Sequence, residues 1–515
     1  MSLALRAGPW TLVPVAAGTV ILAAGCTVGP DFHRPAAAEV ADYTAQPLPA
    51  HTAAAQVRGG EAQHFLAERD LPGEWWQLFG SPAITALVKR ALQANPDVRA
   101  AQAALRQAQE NAFAQEGAFY PSLQASFLAN REKNAVDVVS PTLTSGQALF
   151  NLYTPQLVVS YVFDPWGGNR RQSESLQAQA EAQRFQLEAT YLTLTSNVVA
   201  AAVQEATLRA QIGATQEVIR IEAEQLALLQ RQYELGAIAG GDVAAQEAAL
   251  AQTEATLPTL QKQLAQQRDL IARLAGQFPS EEPGQRVELD ELNLPQDLPL
   301  GLPSRLVEQR PDVRAAEANL HSASAQVGVA MANTLPQITL TANAGSTSTQ
   351  FRQLFTSPTV FWGLAGGILQ PLFDGNTLEH RKRAADAALE QAAAQYRGAV
   401  LTAFQSVADA LHAIEHDARA LAAATRSERK AAENLAIARK AMELGATSSL
   451  PLLMAEQTYQ QALSGVAQAR GNRYVDTVAL FQALGGGWWN RGDNSSGEPQ
   501  EQARALTVTA PGDRR

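Results

Sequence analysis

The spacing of apolar and polar residues along the chain predicts β-strands in four places. In the segment SLQASFLAN, residues 122–130, apolar and polar side chains largely alternate. A period of two places one set of side chains on each face of a strand. Residues 154–164 and 336–345 follow the same period, and residues 359–374 follow it less regularly. We therefore expect two β-hairpins, built from strands of about ten residues that cross a bilayer when tilted.

Each predicted hairpin is followed by a long stretch with a seven-residue period. Apolar residues recur at spacings of four and three from Leu187 to Tyr233, and again from Val400 to Met442. The polar residues in the first register are Glu205, Thr215 and Glu222. A heptad sustained this far predicts helices that supercoil left-handedly against neighbours. About 65 residues at 1.5 Å each give a helix of roughly 100 Å.

Each long helix is predicted to end at a turn that contains glycine. The sequence GAIAGGD follows Leu235, and GATSSLP follows Leu444. Glycine is favoured just past the last helical residue, because it adopts the left-handed backbone conformation at low cost. Shorter return helices are then expected over residues 242–275 and 451–484.

The predicted strands and helices belong to an internal repeat. The sequence PDVRAA of residues 96–101 recurs at 311–316, and ELGA of residues 234–237 recurs at 443–446. The two recurrences have nearly the same separation, so the chain contains two copies of one unit. Each copy consists of a helix, a β-hairpin and a long helix hairpin.

Less regular segments flank the two copies. The predicted organisation is a signal peptide (1–25), an N-terminal arm (27–70), the first repeat (71–275), a Pro/Gly-rich acidic linker (276–304), the second repeat (305–487) and a polar tail expected to be disordered (488–515).

Composition narrows the classes of function. The formal net charge is −10 and 17% of the residues are charged, which argues against a nucleic-acid partner. No stretch after residue 26 contains the 18 consecutive apolar residues expected of a membrane-spanning helix. Any membrane crossing would therefore be made by strands.

The chain contains one cysteine, Cys26. The apolar run from Trp10 to Ala24 is typical of a secretory signal and is too short for a lasting helical anchor. Small residues followed directly by cysteine resemble the lipobox of bacterial lipoproteins, although Leu22 lies one position further from the cysteine than usual. We expect a covalent lipid, such as palmitate, on Cys26. Thr27 in place of aspartate resembles the sorting signal for the outer membrane.

Candidate catalytic and metal motifs are weak. His412 and His416 lie one helical turn apart, but no glutamate follows the first histidine as a zinc protease motif requires. The glycines at 485–487 lack the lysine and hydroxyl residue of a phosphate loop, and residues 491–493 form a common tripeptide. We predict no enzyme activity, no bound cofactor apart from the lipid, and no metal site.

The strand count points to an assembly. Four strands cannot close a barrel, and an open edge in lipid leaves backbone groups unpaired. The chain is therefore expected to oligomerise, with strands continuing into helices as a tunnel. Heptads alone would also fit a solvated coiled-coil rod. Two further alternatives are a lipid-anchored periplasmic adaptor and a lipoprotein enzyme with a coiled-coil stalk.

Five segments resemble the outer-membrane efflux protein family of TolC-like outer-membrane factors, in particular its NodT-like lipoprotein branch. These segments are CTVGPDFHRP, EWWQLFGSP, RPDVRAAEANL, PLFDG and ALFQALGGGWW. The resemblance implies an α+β membrane protein that forms a homotrimer. Its 12-stranded outer-membrane barrel continues into a long periplasmic α-helical barrel, and the 276–304 linker contributes to an equatorial belt. It also implies a passive exit duct that works with a periplasmic adaptor and an inner-membrane pump of the resistance-nodulation-division type.

The resemblance also implies where a gate and a partner surface lie. The family has a Leu-x-x-x-Asp pattern after the second turn, which corresponds here to Leu450 and Met454. Two apolar rings would close the mouth, with Asp242 at the other tip as a possible source of charge. Alternatively, Leu450 and Met454 pack between neighbouring helices. The expected adaptor contacts are the helix tips at Gly236, Ala237, Gly445 and Ala446.

Overall fold

The computed structural model describes most of the chain. The described residues are 27–36, 40, 42–67, 69–133, 149–281, 284–301, 303–447 and 449–491. The expected signal peptide, the Cys26 lipid site and tail residues 492–515 lie outside them. The described residues divide into two compact units: the first contains those in 27–35, 104–184 and 315–397, and the second those in 36–103, 185–314 and 398–491.

Helices dominate the described residues. They are α1 (Pro82–Ala94), α2 (Pro96–Glu116), α3 (Gly168–Glu234), α4 (Gly240–Leu274), α5 (Pro303–Gln309), α6 (Pro311–Ala332), α7 (Thr377–Glu443) and α8 (Ser449–Ala483). The strands are β1 (His64–Ala67), β2 (Ser122–Lys133), β3 (Leu149–Phe163), β4 (Asp297–Leu300), β5 (Gln337–Ser346) and β6 (Val360–Leu369). None of the described helices combines the length and apolar character that a bilayer crossing requires.

The first unit contains a 4-stranded antiparallel sheet. The strand order is β2-β3-β5-β6, so the hairpin of the first repeat pairs directly with that of the second. Tyr161 of β3 lies opposite Leu340 of β5 at this junction. Among the described strands, β2 and β6 each have a neighbour on one side only. Their outer edges therefore leave backbone N–H and C=O groups available for pairing.

The predicted strands are present, and two of the four are longer than the expected ten residues. β2 and β3 contain 12 and 15 residues, whereas β5 and β6 contain 10 each. Residues 370–374, which the alternation included in the fourth strand, lie beyond the end of β6 at Leu369. Pro371 has no backbone N–H to donate to a neighbouring strand, which disfavours continuation there.

Large apolar side chains project from the sheet. The exposed ones on its two outer strands include Leu123, Phe127, Trp362, Leu364 and Ile368. Trp362, Leu364 and Ile368 are separated by even numbers of residues, so they share one face of β6. An exposed apolar surface of this kind is typical of a face that contacts lipid or another protein.

In the second unit, the N-terminal arm and the linker meet in a short parallel sheet. β1 pairs with β4, with His64 opposite Asp297. Neither strand was expected, because a pattern of four residues is too short to distinguish from irregular sequence. The arm is therefore more ordered than its Ala/Pro-rich composition suggests.

The heptads predict the buried face of the long helices. α3 and α7 contain 67 residues each. Leu194, Val198, Leu208 and Leu229 of α3 are buried, whereas Tyr233 at the end of the register is exposed. The polar members Glu205, Thr215 and Glu222 are buried as well. The period therefore identifies which residues face inward even where the side chain is charged.

Both long helices end as the sequence predicts. Gly236 and Gly445 have φ values of 73° and 68°. The N–H of Ala237 donates to the carbonyl of Gln232 at 2.9 Å, and that of Ala446 donates to the carbonyl of Ala441 at 2.8 Å. These bonds satisfy carbonyls at the helix ends in the Schellman arrangement. The return helices α4 and α8 begin two residues earlier than expected.

The polar tail begins with an ordered turn. Trp488–Asn490 form a single 3₁₀ turn, and the indole N–H of Trp488 donates to the carbonyl of Gln309 at 2.7 Å. Asn490 donates its side-chain amide to the carbonyl of Leu71 at 2.8 Å. The start of the segment for which the sequence predicts disorder is therefore anchored by side chains.

Candidate functional site

The two helix turns expose a matched set of residues. Gly236, Ala237, Gly445 and Ala446, the expected adaptor contacts, are all exposed. Leu235 and Leu444, which precede the glycines, are 78% and 71% exposed. The internal repeat thus presents the same Leu-Gly-Ala sequence at both turns, and such exposed leucines are suited to apolar contact with a partner.

The residues expected to form a gate lie in the first turns of α8. Leu450 and Met454 are 61% and 62% exposed within the single chain. They are one helical turn apart, so their side chains lie on the same face of the helix. This exposure agrees with either expectation, a ring around an axis or packing against a neighbouring chain.

Leu450 and Met454 line an open cavity of about 710 Å³. Its walls also include Glu222 and Thr215 from α3 and Thr253 from α4. Asp242, the other residue considered for the gate, is half-buried in the first turn of α4 and does not line this cavity. The structure therefore groups Leu450 and Met454 with buried polar residues of α3 and α4.

A buried carboxyl group contributes to this cavity. Glu222 is 2% exposed, and its Oε1 accepts a hydrogen bond of 3.1 Å from the Thr253 hydroxyl. Burial raises the pKa of Glu222 to about 7, the Thr253 hydrogen bond opposes this shift, and the nearby charges of Glu456 and Glu254 add to it. The group consequently changes charge near neutral pH.

A second buried carboxyl group, Glu456 of α8, was not identified from the sequence. It is 1% exposed, and burial raises its pKa, although Gln246 and Arg439 oppose the shift. The heptad predicts that Glu222 is buried, because it occupies an inward position of the repeat. Glu456 follows Leu450 and Met454 on a helix whose apolar residues have little helical periodicity, so no sequence signal marks it as buried.

The described residues contain no group of three or more histidine, cysteine, aspartate or glutamate side chains that could bind a metal ion. His412 and His416 are both exposed on α7.

A model of the outer membrane efflux protein family matches residues 87–277 and 302–486. These ranges cover most of both internal repeats. The chain belongs to the outer membrane efflux protein family. It is therefore an outer-membrane channel component of an efflux system rather than an enzyme, and the expected family and outer-membrane localisation are confirmed.

Individual relatives extend this match over nearly the whole chain. The pyoverdine export outer membrane protein OpmQ of Pseudomonas aeruginosa is 30% identical over 426 residues, which cover 81% of this chain and 87% of OpmQ. The solved outer-membrane channel OprN is 30% identical with a TM-score of 0.80, covering 90% of this chain and 100% of OprN. VceC of Vibrio cholerae is 26% identical with a TM-score of 0.75, covering 81% of this chain and 100% of VceC.

Proposed function

We propose that this efflux protein acts as a homotrimer that forms a passive exit duct. In the trimer, the strands of three chains build a 12-stranded barrel in the outer membrane. The long helix hairpins continue it as an α-helical barrel through the periplasm. Substrates enter this duct from an inner-membrane pump, so the pump rather than the duct selects them.

The observation that carries this proposal is the open 4-stranded sheet with exposed apolar side chains. Its outer strands β2 and β6 each lack one neighbour among the described strands. In lipid, each unpaired backbone group costs several kcal/mol. Pairing of β6 from one chain with β2 of the next would remove the open edges. Three chains supply enough strands to close a barrel, because about eight are sufficient.

The partners we propose are a periplasmic adaptor and an inner-membrane pump of the resistance-nodulation-division type. The adaptor would contact the turns at Gly236, Ala237, Gly445 and Ala446, where exposed Leu235 and Leu444 offer apolar surface. A lipid on Cys26 would add a covalent anchor to the membrane, as in the NodT-like branch. We propose that Leu450 and Met454 close the periplasmic mouth, with Asp242 contributing charge nearby.

The purified protein in detergent tests the assembly, because native mass spectrometry measures the number of chains directly. We expect a trimer that conducts ions in planar bilayers and restores drug export when it is expressed with its adaptor and pump. A stable folded monomer, or a trimer without conductance, would contradict the duct. A lipid-anchored adaptor would instead remain water-soluble after removal of the lipid.

A further inference from the structure

Two buried carboxyl groups lie next to the cavity of the gate residues. Glu222 comes from α3 and Glu456 from α8, and Gln246 of α4 packs with them at 1% exposure. The Gln246 amide donates to the backbone carbonyl of Glu222 at 3.3 Å. The cluster thus joins α3, α4 and α8, and its Glu222 lines the same cavity as Leu450 and Met454.

These carboxyl groups are poorly satisfied as anions. Among the described residues, Oε2 of Glu222 and both carboxyl oxygens of Glu456 have no partner at full hydrogen-bonding geometry. The side chain of Gln246 lies close enough to Glu456 to oppose the rise of its pKa in part. Nη2 of Arg439 on α7 lies 3.9 Å from Oε1 of Glu456, which is too far for a hydrogen bond. A buried carboxylate without adequate partners is costly, whereas its protonated form is not.

Negative charges near Glu222 favour its protonated form in addition to the effect of burial. Glu254 of α4 and Glu456 of α8 both raise the pKa of Glu222. Arg439 is the cation that faces Glu456, and it also acts on Glu217 of α3. The same arginine is therefore shared between acidic groups on two helices.

Another buried glutamate in α3 shows the contrast. Glu205 is 2% exposed, but its Oε1 accepts a 2.6 Å hydrogen bond from Nη2 of Arg209 and lies 3.9 Å from Nε of Arg268. That glutamate is held as a member of an ionic cluster. Glu222 and Glu456 have no comparable bonded cation in the described residues, which makes their charge state sensitive to pH.

We propose that Glu222 and Glu456 form a proton-binding site that regulates the constriction at Leu450 and Met454. When the carboxyl groups are protonated, α3, α4 and α8 pack as in the structure. When they ionise, repulsion and hydration loosen this packing and let water reach the carboxyl groups. The regulatory role rests on the proposed function of Leu450 and Met454 as a gate, whereas the proton-sensitive packing does not.

The sign of the pH effect follows from linkage. A carboxyl group whose pKa is raised binds more protons in the packed state than in the loosened, hydrated state. The packed state is therefore favoured at acidic pH. It loses this advantage as the pH rises from 4.5, the ordinary pKa of a glutamate side chain, through about 7, the pKa of Glu222. Opening increases with pH, by at most about tenfold per pH unit for each proton released.

Planar-bilayer recordings of the trimer test the regulation. Between about pH 5.5 and pH 8, we expect the open probability of the wild-type protein to rise at least about threefold. The E222Q/E456Q double variant should remove this rise and keep the acidic-pH behaviour throughout. E247Q, an exposed glutamate next to Gln246, is the matched control. D417N is a second control, because it removes another carboxyl group whose pKa burial raises to about 7. Both control variants should keep the wild-type rise in open probability.

Hydrogen exchange tests the packing itself, without any channel measurement. Protection factors of residues 215–225, 246–256 and 450–460 should fall between the two pH values in the wild-type protein and in E247Q. They should stay constant in E222Q/E456Q. Constant wild-type protection would overturn the proton-binding site. Changed protection with unchanged conductance would overturn its link to the gate while leaving the duct intact, and absence of conductance at every pH would contradict the duct.

Discussion

Arg171 and Asp31 are joined by a hydrogen bond of 2.6 Å between α3 and the segment that follows Cys26. The Arg171 side chain is 6% exposed, and its Nε also donates to the carbonyl of Val28 at 3.3 Å. Hydrogen bonding to this guanidinium lowers the pKa of Asp31. One buried arginine thus fixes the chain directly after the proposed lipid anchor.

Replacing this arginine should release the segment. In R171A we expect chymotrypsin to cleave after Phe32 about tenfold faster, because loss of the charged hydrogen bonds costs on the order of 1–3 kcal/mol of local stability. Phe32 is otherwise protected by stacking on His321, with ring centroids 4.3 Å apart. Cleavage of native trimers, followed by gel electrophoresis, measures the effect. The exposed R381A variant is the control, and equal cleavage rates in both would contradict the prediction.

The lipid site can be tested by a single substitution. In C26S we expect incorporation of labelled palmitate to disappear and the signal segment to remain uncut or to be processed elsewhere. The barrel can still insert, since closure of the strands does not require the lipid. Autoradiography of the isolated outer membrane measures the label. Palmitate that persists in C26S would show that Cys26 is not the acylated residue.

A second arginine holds the N-terminal arm in the other unit. Arg473 of α8 is 1% exposed and donates to the carbonyls of Gly59 and Glu61 at 3.1 and 3.0 Å, and to Oε1 of Gln63 at 3.0 Å. Burial lowers its pKa. These bonds attach residues of the arm to the helix hairpin of the second repeat.

We expect R473A to lower the free energy of unfolding by about 3 kcal/mol or more, because several buried acceptors lose a charged donor. R473K should recover only part of the loss, since one ammonium cannot reproduce the fork of a guanidinium. Urea unfolding monitored by circular dichroism measures both. The exposed R426A variant should change stability by less than about 0.5 kcal/mol. Equal stability of R473A and R426A would contradict the structural role.

The glycines at the helix turns are required by the backbone conformation and not by lack of space for a side chain. Gly236 has a φ of 73°, and a Cβ built there meets no atom within 4 Å. G236A should therefore cost about 1 kcal/mol of local stability through strain alone. We expect amide exchange near the turn to accelerate about fivefold. G241A, in the helical part of α4 with equally open surroundings, should stabilise the same region.

The sequence predicts regular features better than contacts between distant segments. The heptad places Glu222 on the buried face because periodicity is a local property. Its neighbour Glu456 lies more than 200 residues away in sequence, and no local pattern encodes that contact. The pairing of β1 with β4 was missed for the same reason. Glycine turns were predicted because the backbone conformation itself selects the residue.

Leu450 and Met454 provide the sharpest test of the proposed gate. Each is more than half exposed in the single chain, and both line the same open cavity. If three copies form two apolar rings, removing the side chains should widen the mouth. If they instead pack between chains, the same change should weaken assembly. The two roles therefore predict different results for trimer yield.

For L450A/M454A we expect higher conductance in planar bilayers, normal trimer yield and increased sensitivity of cells to large antibiotics such as vancomycin. M454D should increase preference for cations, because three carboxylates would concentrate positive ions at the mouth, whereas methionine closes it without a fixed charge. Reversal potentials in a salt gradient measure this preference. L401A, which removes another exposed leucine from α7, controls for the loss of apolar surface. Unchanged conductance with a normal trimer yield in L450A/M454A would place the constriction elsewhere, while a reduced yield would assign both residues to packing between chains.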